Sequence, residues 1–139
     1  MIDLDNETGF EIDILILEKI TNSLTQKDIE LLVVKNDEIQ ELNKEHRNID
    51  KATDVLSFPM DFDFPNMPLG SIVVSTDFVE EKSKEYGHTF NEEFSLLFIH
   101  GILHLLGYDH EVDNGEHRNK EEELIKEFNL PDSLIIRNS

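Results

Sequence analysis

HGILHLLGYDH, residues 100–110, is the segment around which this 139-residue chain is predicted to fold. If it begins as a helix, His100 and His104 are four residues apart, so they lie on one face, one turn above the other. Gly107 then allows the backbone to leave the helix, because glycine tolerates a positive φ. The chain can turn back and bring His110 to the same point. This H-x-x-x-H-x-x-G-x-x-H pattern is typical of zinc hydrolases.

Three neutral imidazoles leave one tetrahedral position of a zinc ion for water, which favours a catalytic site over a closed structural one. The chain has no cysteine, so a transition metal must be held by histidine or carboxylate side chains. The simpler interpretation is that each histidine is a hydrogen-bonded core residue. Three histidines at these offsets, with glycine in register, favour one Zn²⁺ held by His100, His104 and His110.

The residue after the first histidine separates this chain from zinc peptidases. Those enzymes carry glutamate there as the general base, whereas this chain has Gly101. The metal-binding pattern is kept and the peptidase base is missing. The sequence therefore predicts a reaction other than ordinary peptide hydrolysis.

The composition predicts one soluble, cytoplasmic domain that spans residues 1–139. The N-terminus lacks the basic and apolar regions of a signal peptide, and the longest uncharged apolar run, Phe94 to Leu106, is too short to span a bilayer. The formal net charge is −19, from 31 acidic and 12 basic side chains. Such acidity opposes non-specific binding to nucleic acid. A polyanionic substrate would need a local positive region or the metal.

The predicted fold is α+β, a small mixed sheet of about four strands packed with about five helices. Thr89 and Glu92 form a capping box that begins the central helix. That helix is apolar on nearly every side, so it should be buried across the sheet, with His100 and His104 as its polar exceptions. The predicted strands are 2–5, 29–34, 55–58 and 70–75, and the other helices are 13–24, 38–47, 77–86 and 116–128.

The remaining helix signals are weaker. Asn36 or Asp37 is predicted to cap the second helix, and Asp77 with Glu80 resembles a capping pair for the third. In the last helix, Leu124, Ile125 and Phe128 should face the core, and Glu121, Glu122 and Glu123 should be solvated. The other three histidines lack ligand spacing to the motif and are predicted to be surface residues: His46, His88 and His117.

Three stretches together resemble the YbeY family, bacterial endoribonucleases that act in ribosomal RNA maturation. They are NKEHR (43–47) followed by TDVLSFP (53–59), then LGSIVV (69–74), and the segment 100–110. Their order and spacing match nearly end to end. One departure is Ser71, where many members of the family have aspartate.

The resemblance implies an α+β metalloprotein fold and one zinc ion on His100, His104 and His110. It also implies cleavage of single-stranded RNA, and association with ribosomal proteins or ribosome-bound factors during small-subunit maturation. Arg47 matches a family arginine that lies near the metal cleft and is tied to activity. Guanidinium can hold two phosphate oxygens at once, which suits that role. The alternative for Arg47 is an ordinary solvated helix face.

Several points stay open at the level of sequence. The nucleophile is either water or the RNA 2′-hydroxyl. Asp109 either orients a metal ligand or caps the turn, and Phe62 and Phe64 either stack bases or anchor their loop. Two other functions compete with the endoribonuclease. One is a non-enzymatic ribosome-assembly module with a structural metal, and the other is a different metal-dependent hydrolase.

Overall fold

The computed structural model of the chain describes residues 1–60, 67–108 and 113–131. Within those ranges the chain forms one four-stranded sheet and five α-helices, so the predicted α+β class is confirmed. The strands are β1 (Ile2–Asn6), β2 (Ile29–Val34), β3 (Val55–Pro59) and β4 (Gly70–Ser75), and the helices are α1 (Ile14–Leu24), α2 (Asn36–Arg47), α3 (Thr76–Tyr86), α4 (Phe90–Leu105) and α5 (Glu116–Glu127).

The sheet is mixed, with strand order β1-β2-β4-β3. β1 and β4 both pair in parallel with β2, and β3 runs antiparallel to β4 at one edge. The parallel pairings follow from helical connections, because parallel neighbours need a crossover and α1 and α2 supply the connecting segments. Among the described residues, β1 and β3 are thus the two edge strands of the sheet.

α4 is the buried helix that the sequence predicts. Phe94, Phe98, Ile99 and Ile102 are all buried, as expected for a helix that is apolar on every side. The Thr89 capping box is confirmed, since the Thr89 side chain accepts from the Glu92 backbone N–H at 3.1 Å and the Glu92 carboxylate accepts from the Thr89 N–H at 2.8 Å. Among the described residues, every helix is too short or too polar to cross a bilayer.

The two faces of the sheet carry different helices. Ile72 and Val74 of β4 face the large core that contains α4, whereas Val73, between them, packs with Ile39 of α2. Successive side chains of a strand point to opposite faces, so α2 and α4 cover opposite sides of the sheet. The position of α2 matters below, because this helix carries Arg47.

Gly101 lets α4 lie directly on the sheet. A Cβ atom there would be 3.1 Å from Ile72 Cγ2 and 3.2 Å from Ser57 Oγ. The Ser57 hydroxyl also donates a hydrogen bond to the Gly101 carbonyl at 3.1 Å. A side chain at the position of the peptidase glutamate would therefore crowd the Ile72 and Ser57 side chains, which favours glycine there.

The predicted caps of α2 and α3 are wrong. α3 begins at Thr76 without a side-chain cap, and Asp77 instead accepts from the backbone N–H of Asn36 at 2.8 Å. The first turn of α2 is thus capped by a carboxylate 41 residues further along the chain. Ser75 adds a second link, because its hydroxyl lies 2.7 Å from Asn36 Oδ1. These contacts are tertiary, so local spacing could not predict them.

Candidate metal centre

His100 and His104 face the same point from successive turns of α4, as the four-residue spacing predicts. Their Nε2 atoms are 3.2 Å apart and their ring centroids are 4.7 Å apart, with the rings nearly perpendicular. Both side chains are partly exposed, although the rest of the helix around them is buried. The pair therefore forms a polar point that can be reached from solvent on a largely apolar element.

A third histidine joins the pair from α5. The prediction that His117 is a surface residue is wrong, since this side chain is fully buried. Its ring centroid lies 4.7 Å from that of His100 and 4.8 Å from that of His104. Each of the three residues places a ring nitrogen within 4.8 Å of the other two. The described structure thus contains a three-histidine cluster that could hold a metal ion.

Glu121 lies beneath this cluster, and the prediction that it is solvated is also wrong. Its residue is only 5% exposed, and Oε1 accepts from His100 Nδ1 at 2.7 Å. His117 Nε2 lies 2.9 Å from the same oxygen, within ion-pair distance but without hydrogen-bond geometry. One buried carboxylate oxygen therefore contacts two imidazoles. Its partner in the well-formed hydrogen bond is His100.

A single signal in the sequence could have found both residues. His117 and Glu121 are followed at helical spacing by Leu124 and Ile125, which the sequence places in the core and which are buried. Residues separated by four, seven and eight positions share one helix face. Both polar residues therefore belong to the same inward stripe, and a buried His–Glu pair on such a stripe needs a polar partner across the interface.

The spacing of His100 and His104 fits two ligands of a tetrahedral divalent ion. Two nitrogens that bind one zinc ion at about 2.0–2.1 Å are roughly 3.3 Å apart, which is close to the 3.2 Å between His100 and His104. If the Nδ1 proton of His100 points to Glu121, its Nε2 carries the lone pair that a metal needs. The donor set of neutral imidazoles suits zinc and other borderline metals.

His110, the predicted third ligand, lies outside the described residues, as do Asp109, Phe62 and Phe64. The turn that precedes it is described, and it has the predicted form. Gly107 has a φ of 99°, in the left-handed region that favours glycine. The ligand set His100, His104 and His110 therefore stays a prediction.

Comparisons with known proteins decide the family of this chain. The sequence profile described as Endoribonuclease YbeY matches residues 7–129. A protein of Aliarcobacter butzleri named Endoribonuclease YbeY is 76% identical over the full length of both chains. The chain belongs to the YbeY family. A YbeY from Sulfurimonas denitrificans is 64% identical and covers 99% of this chain and 98% of its own length. Membership makes this chain an enzyme of the nuclease class, within the hydrolases.

A solved structure supports the same fold for this YbeY chain. The solution structure of a Thermotoga maritima protein aligns with a TM-score of 0.63 and 32% sequence identity. The alignment covers 92% of this chain and 89% of the Thermotoga chain. The α+β architecture is therefore shared over nearly the whole length of both proteins.

Arg47, the predicted catalytic residue of this YbeY chain, is exposed in the last turn of α2. It lies on the opposite side of the sheet from α4. The edge strand β3 contacts both α2 and α4. The rings of His46 and Phe58 have centroids 5.1 Å apart, and Ser57 donates to the carbonyl of Gly101. Arg47 forms no ion pair with any residue in the described part of the chain.

Two further histidines, His46 and His88, lie outside the cluster. His46 is exposed, as predicted. The prediction for His88 is wrong, because its side chain is nearly buried and its Nε2 lies 2.8 Å from Oε1 of the fully buried Glu93. This pair joins the loop after α3 to the first turn of α4. It stabilises the start of the helix that carries the metal-binding candidates, but it is not part of the cluster.

The sheet face opposite α4 is acidic near β1 and β2. Asp3, Asp5 and Glu30 line a shallow groove there, and Ser71 donates to Glu30 Oε2 at 2.8 Å. Ser71, the departure from the family pattern that the sequence analysis identified, therefore contributes a hydroxyl that binds a neighbouring carboxylate.

Beyond the end of β1, acidic side chains also meet. A side-chain hydrogen bond with Glu38, together with like-charge repulsion, raises the pKa of Glu7. Glu38 belongs to the first turn of α2, so the acidic character of the sheet face continues toward that helix. The protein thus has a negatively charged surface, formed by Asp3, Asp5 and Glu30, on the side of the sheet away from the histidine cluster.

Proposed function

We propose that this chain is a zinc-dependent endoribonuclease that cleaves single-stranded RNA during ribosomal RNA maturation in the cytoplasm. Residues 1–139 would act as a single metal-dependent hydrolase domain. The observation that carries the proposal is the His100–His104 pair, with its nitrogens at the spacing of two zinc ligands and a buried carboxylate on His100. The relatives named Endoribonuclease YbeY support the choice of RNA as substrate.

In this proposal His100, His104 and His110 hold the ion. When bound, zinc supplies Lewis acidity toward a phosphoryl oxygen and makes water a better nucleophile at neutral pH. Neutral imidazoles leave most of the positive charge of the ion in place, which suits a polyanionic substrate. The nucleophile is either water or the 2′-hydroxyl of the RNA. Gly101 provides no carboxylate at the peptidase position, and a side chain there would crowd Ile72.

Arg47 is the proposed partner of the phosphate. Its guanidinium is exposed and forms no ion pair with the described residues, so no carboxylate among them competes for it. Lys44, one turn earlier, is also exposed and adds positive charge to the same end of α2. An otherwise acidic chain needs such a local positive region to hold RNA. Bidentate contacts to two phosphate oxygens would stabilise the developing negative charge.

We also propose docking to basic ribosomal proteins or ribosome-bound factors, which would supply affinity that the net charge of −19 denies to naked RNA. The acidic groove of Asp3, Asp5 and Glu30 supports this part of the proposal. Binding to small ribosomal subunits should weaken steeply with added salt, because it would be largely electrostatic. Co-sedimentation over a salt series measures this. Failure to co-sediment at low salt, or binding that salt does not affect, would contradict it.

The test of the enzymatic proposal is cleavage of an unstructured RNA by the purified protein as isolated. We expect cleavage that a chelator abolishes and added zinc restores, because the ion supplies the charge stabilisation. In the same assay Arg47→Ala should lower kcat by about 100-fold, the scale of one lost transition-state donor. Arg47→Lys should recover only part of that loss, since an ammonium keeps the charge but not the two-point contact.

Two outcomes would count against this function. RNA cleavage that persists after the metal content falls to zero would exclude the metal-dependent version. A chain that binds zinc and small ribosomal subunits but never cuts RNA would instead favour the assembly module with a structural metal. An Arg47→Ala variant as active as the native chain would remove Arg47 from the proposal without affecting the metal.

A further inference from the structure

We propose that Glu121 is a positioning residue for the metal site. It would accept the Nδ1 proton of His100 and so present the Nε2 lone pair of that ring to the ion. The inference rests on the proposed function, because it concerns the same site. It goes further by assigning a role to a residue on α5, outside the histidine motif. Three observations support it.

The first observation is the direction of the ring. His100 Nδ1 lies 2.7 Å from Glu121 Oε1, and His100 Nε2 is the nitrogen that lies 3.2 Å from His104 Nε2. A neutral imidazole carries one proton, and a carboxylate can only accept. The proton therefore belongs on Nδ1. That leaves Nε2, which faces the other candidate ligand, as the basic nitrogen.

The second observation is burial. The Glu121 side chain is 6% exposed, and a carboxylate so far from water is costly unless its oxygens have donors. His100 donates the well-formed hydrogen bond, and His117 brings a second imidazole to 2.9 Å from the same oxygen. The carboxylate thus holds α5 against α4 at the level of the cluster. A negative charge beside the ligand also raises its basicity toward a cation.

The third observation is the contrast with the neighbouring glutamates. Glu123 is on the same helix with a side chain that is 61% exposed, and it pairs with Lys120 at 3.1 Å on the surface. Glu122 likewise pairs with Arg118, one turn earlier on α5. Of these three successive acids, Glu121 is the one that contacts a histidine of the cluster. This contrast supplies a matched control, because Glu123→Gln changes the net charge of the chain by the same amount.

The experiment is a titration of metal-free protein with Co²⁺, followed by visible absorption, and with Zn²⁺ in competition with a chelating dye. For Glu121→Gln we expect the affinity for both ions to fall about 10–100-fold, the usual effect of removing a carboxylate behind a histidine ligand. Glu123→Gln should stay within about twofold of the native chain, because the Glu123 charge is exposed, paired with Lys120 and screened by solvent. Affinities for Glu121→Gln and Glu123→Gln that agree within twofold would overturn the inference.

Two further readouts separate positioning from a merely structural role. Urea unfolding of the metal-free variants shows whether Glu121→Gln is folded at the titration conditions, and Glu121→Leu provides a second variant of similar volume. Two-bond ¹H–¹⁵N spectra of the native chain should show His100 protonated at Nδ1. Protonation at Nε2 instead would overturn the inference. If the native chain binds neither ion, the proposed function fails first, and that result differs from equal binding by all variants.

Discussion

His104→Ala is expected to leave the protein folded but without tightly bound metal, and to lower RNA cleavage by at least roughly 100-fold. Removing a ligand should cost no less than the 10–100-fold that removing a supporting group costs. His104 supplies one of two nitrogens that are only 3.2 Å apart. The variant therefore keeps only one ligand of this pair, His100. Metal analysis of the purified variant, beside RNA cleavage rates, is the measurement.

His46→Ala is the matched control for this prediction. His46 is an exposed histidine on α2, on the opposite side of the sheet from α4, and its ring contacts Phe58. We expect it to keep the metal content of the native chain. Metal retained at native levels by His104→Ala would contradict a site formed by this helix. Equal metal loss in both variants would show that the assay reports on folding rather than on coordination.

The same measurement identifies the third ligand. The sequence motif predicts His110, whereas the described structure places His117 within 4.8 Å of the pair. His117 Nε2 lies against Glu121, the carboxylate that also contacts His100, so His117 would support the site without binding the metal. We therefore expect His117→Ala to retain the metal with reduced affinity. His110→Ala should lose the metal as His104→Ala does. The reverse result would assign His117 as the ligand in place of His110.

Local signals predicted the elements of the fold well. The Thr89–Glu92 capping box and the left-handed Gly107 both depend on a few consecutive residues, and the structure has both. The four-residue spacing of His100 and His104 is equally local, because it needs only the helix to form. Such features can be predicted because each satisfies backbone groups or side chains within one or two turns.

Contacts between elements were not predicted from the same sequence. Asp77 caps a helix 41 residues earlier, and Glu121 meets a histidine 21 residues earlier. Neither partner lies within reach of a local pattern, and a run of three glutamates is most often solvated. What distinguishes Glu121 is its place on the inward stripe of α5, since Leu124 and Ile125 continue that stripe. A polar residue among apolar ones on a single face indicates a specific partner across the interface.

Gly70→Ala is expected to destabilise the protein by about 3 kcal/mol, at the upper end of the usual cost of overpacking. A Cβ atom at Gly70 would lie 2.6 Å from the Phe58 carbonyl oxygen and 2.7 Å from Leu105 Cδ2. Leu105 can rotate away, but the Phe58 carbonyl belongs to the paired strand β3, so the backbone at the sheet edge must move. Because Leu105 follows His104, the same displacement reaches the metal-binding end of α4.

Urea unfolding of the metal-free protein measures this cost, since bound metal would add its own contribution to the stability. Gly9→Ala is the matched control, because a Cβ atom there would meet nothing within 4 Å. We expect it to change the free energy of unfolding by less than about 1 kcal/mol, with a gain possible from the restricted unfolded chain. Equal unfolding midpoints for the two variants would mean that the β3 backbone can move away from a Cβ atom at position 70 without loss of stability. The close packing of α4 over this edge would then contribute little to holding the histidines in place.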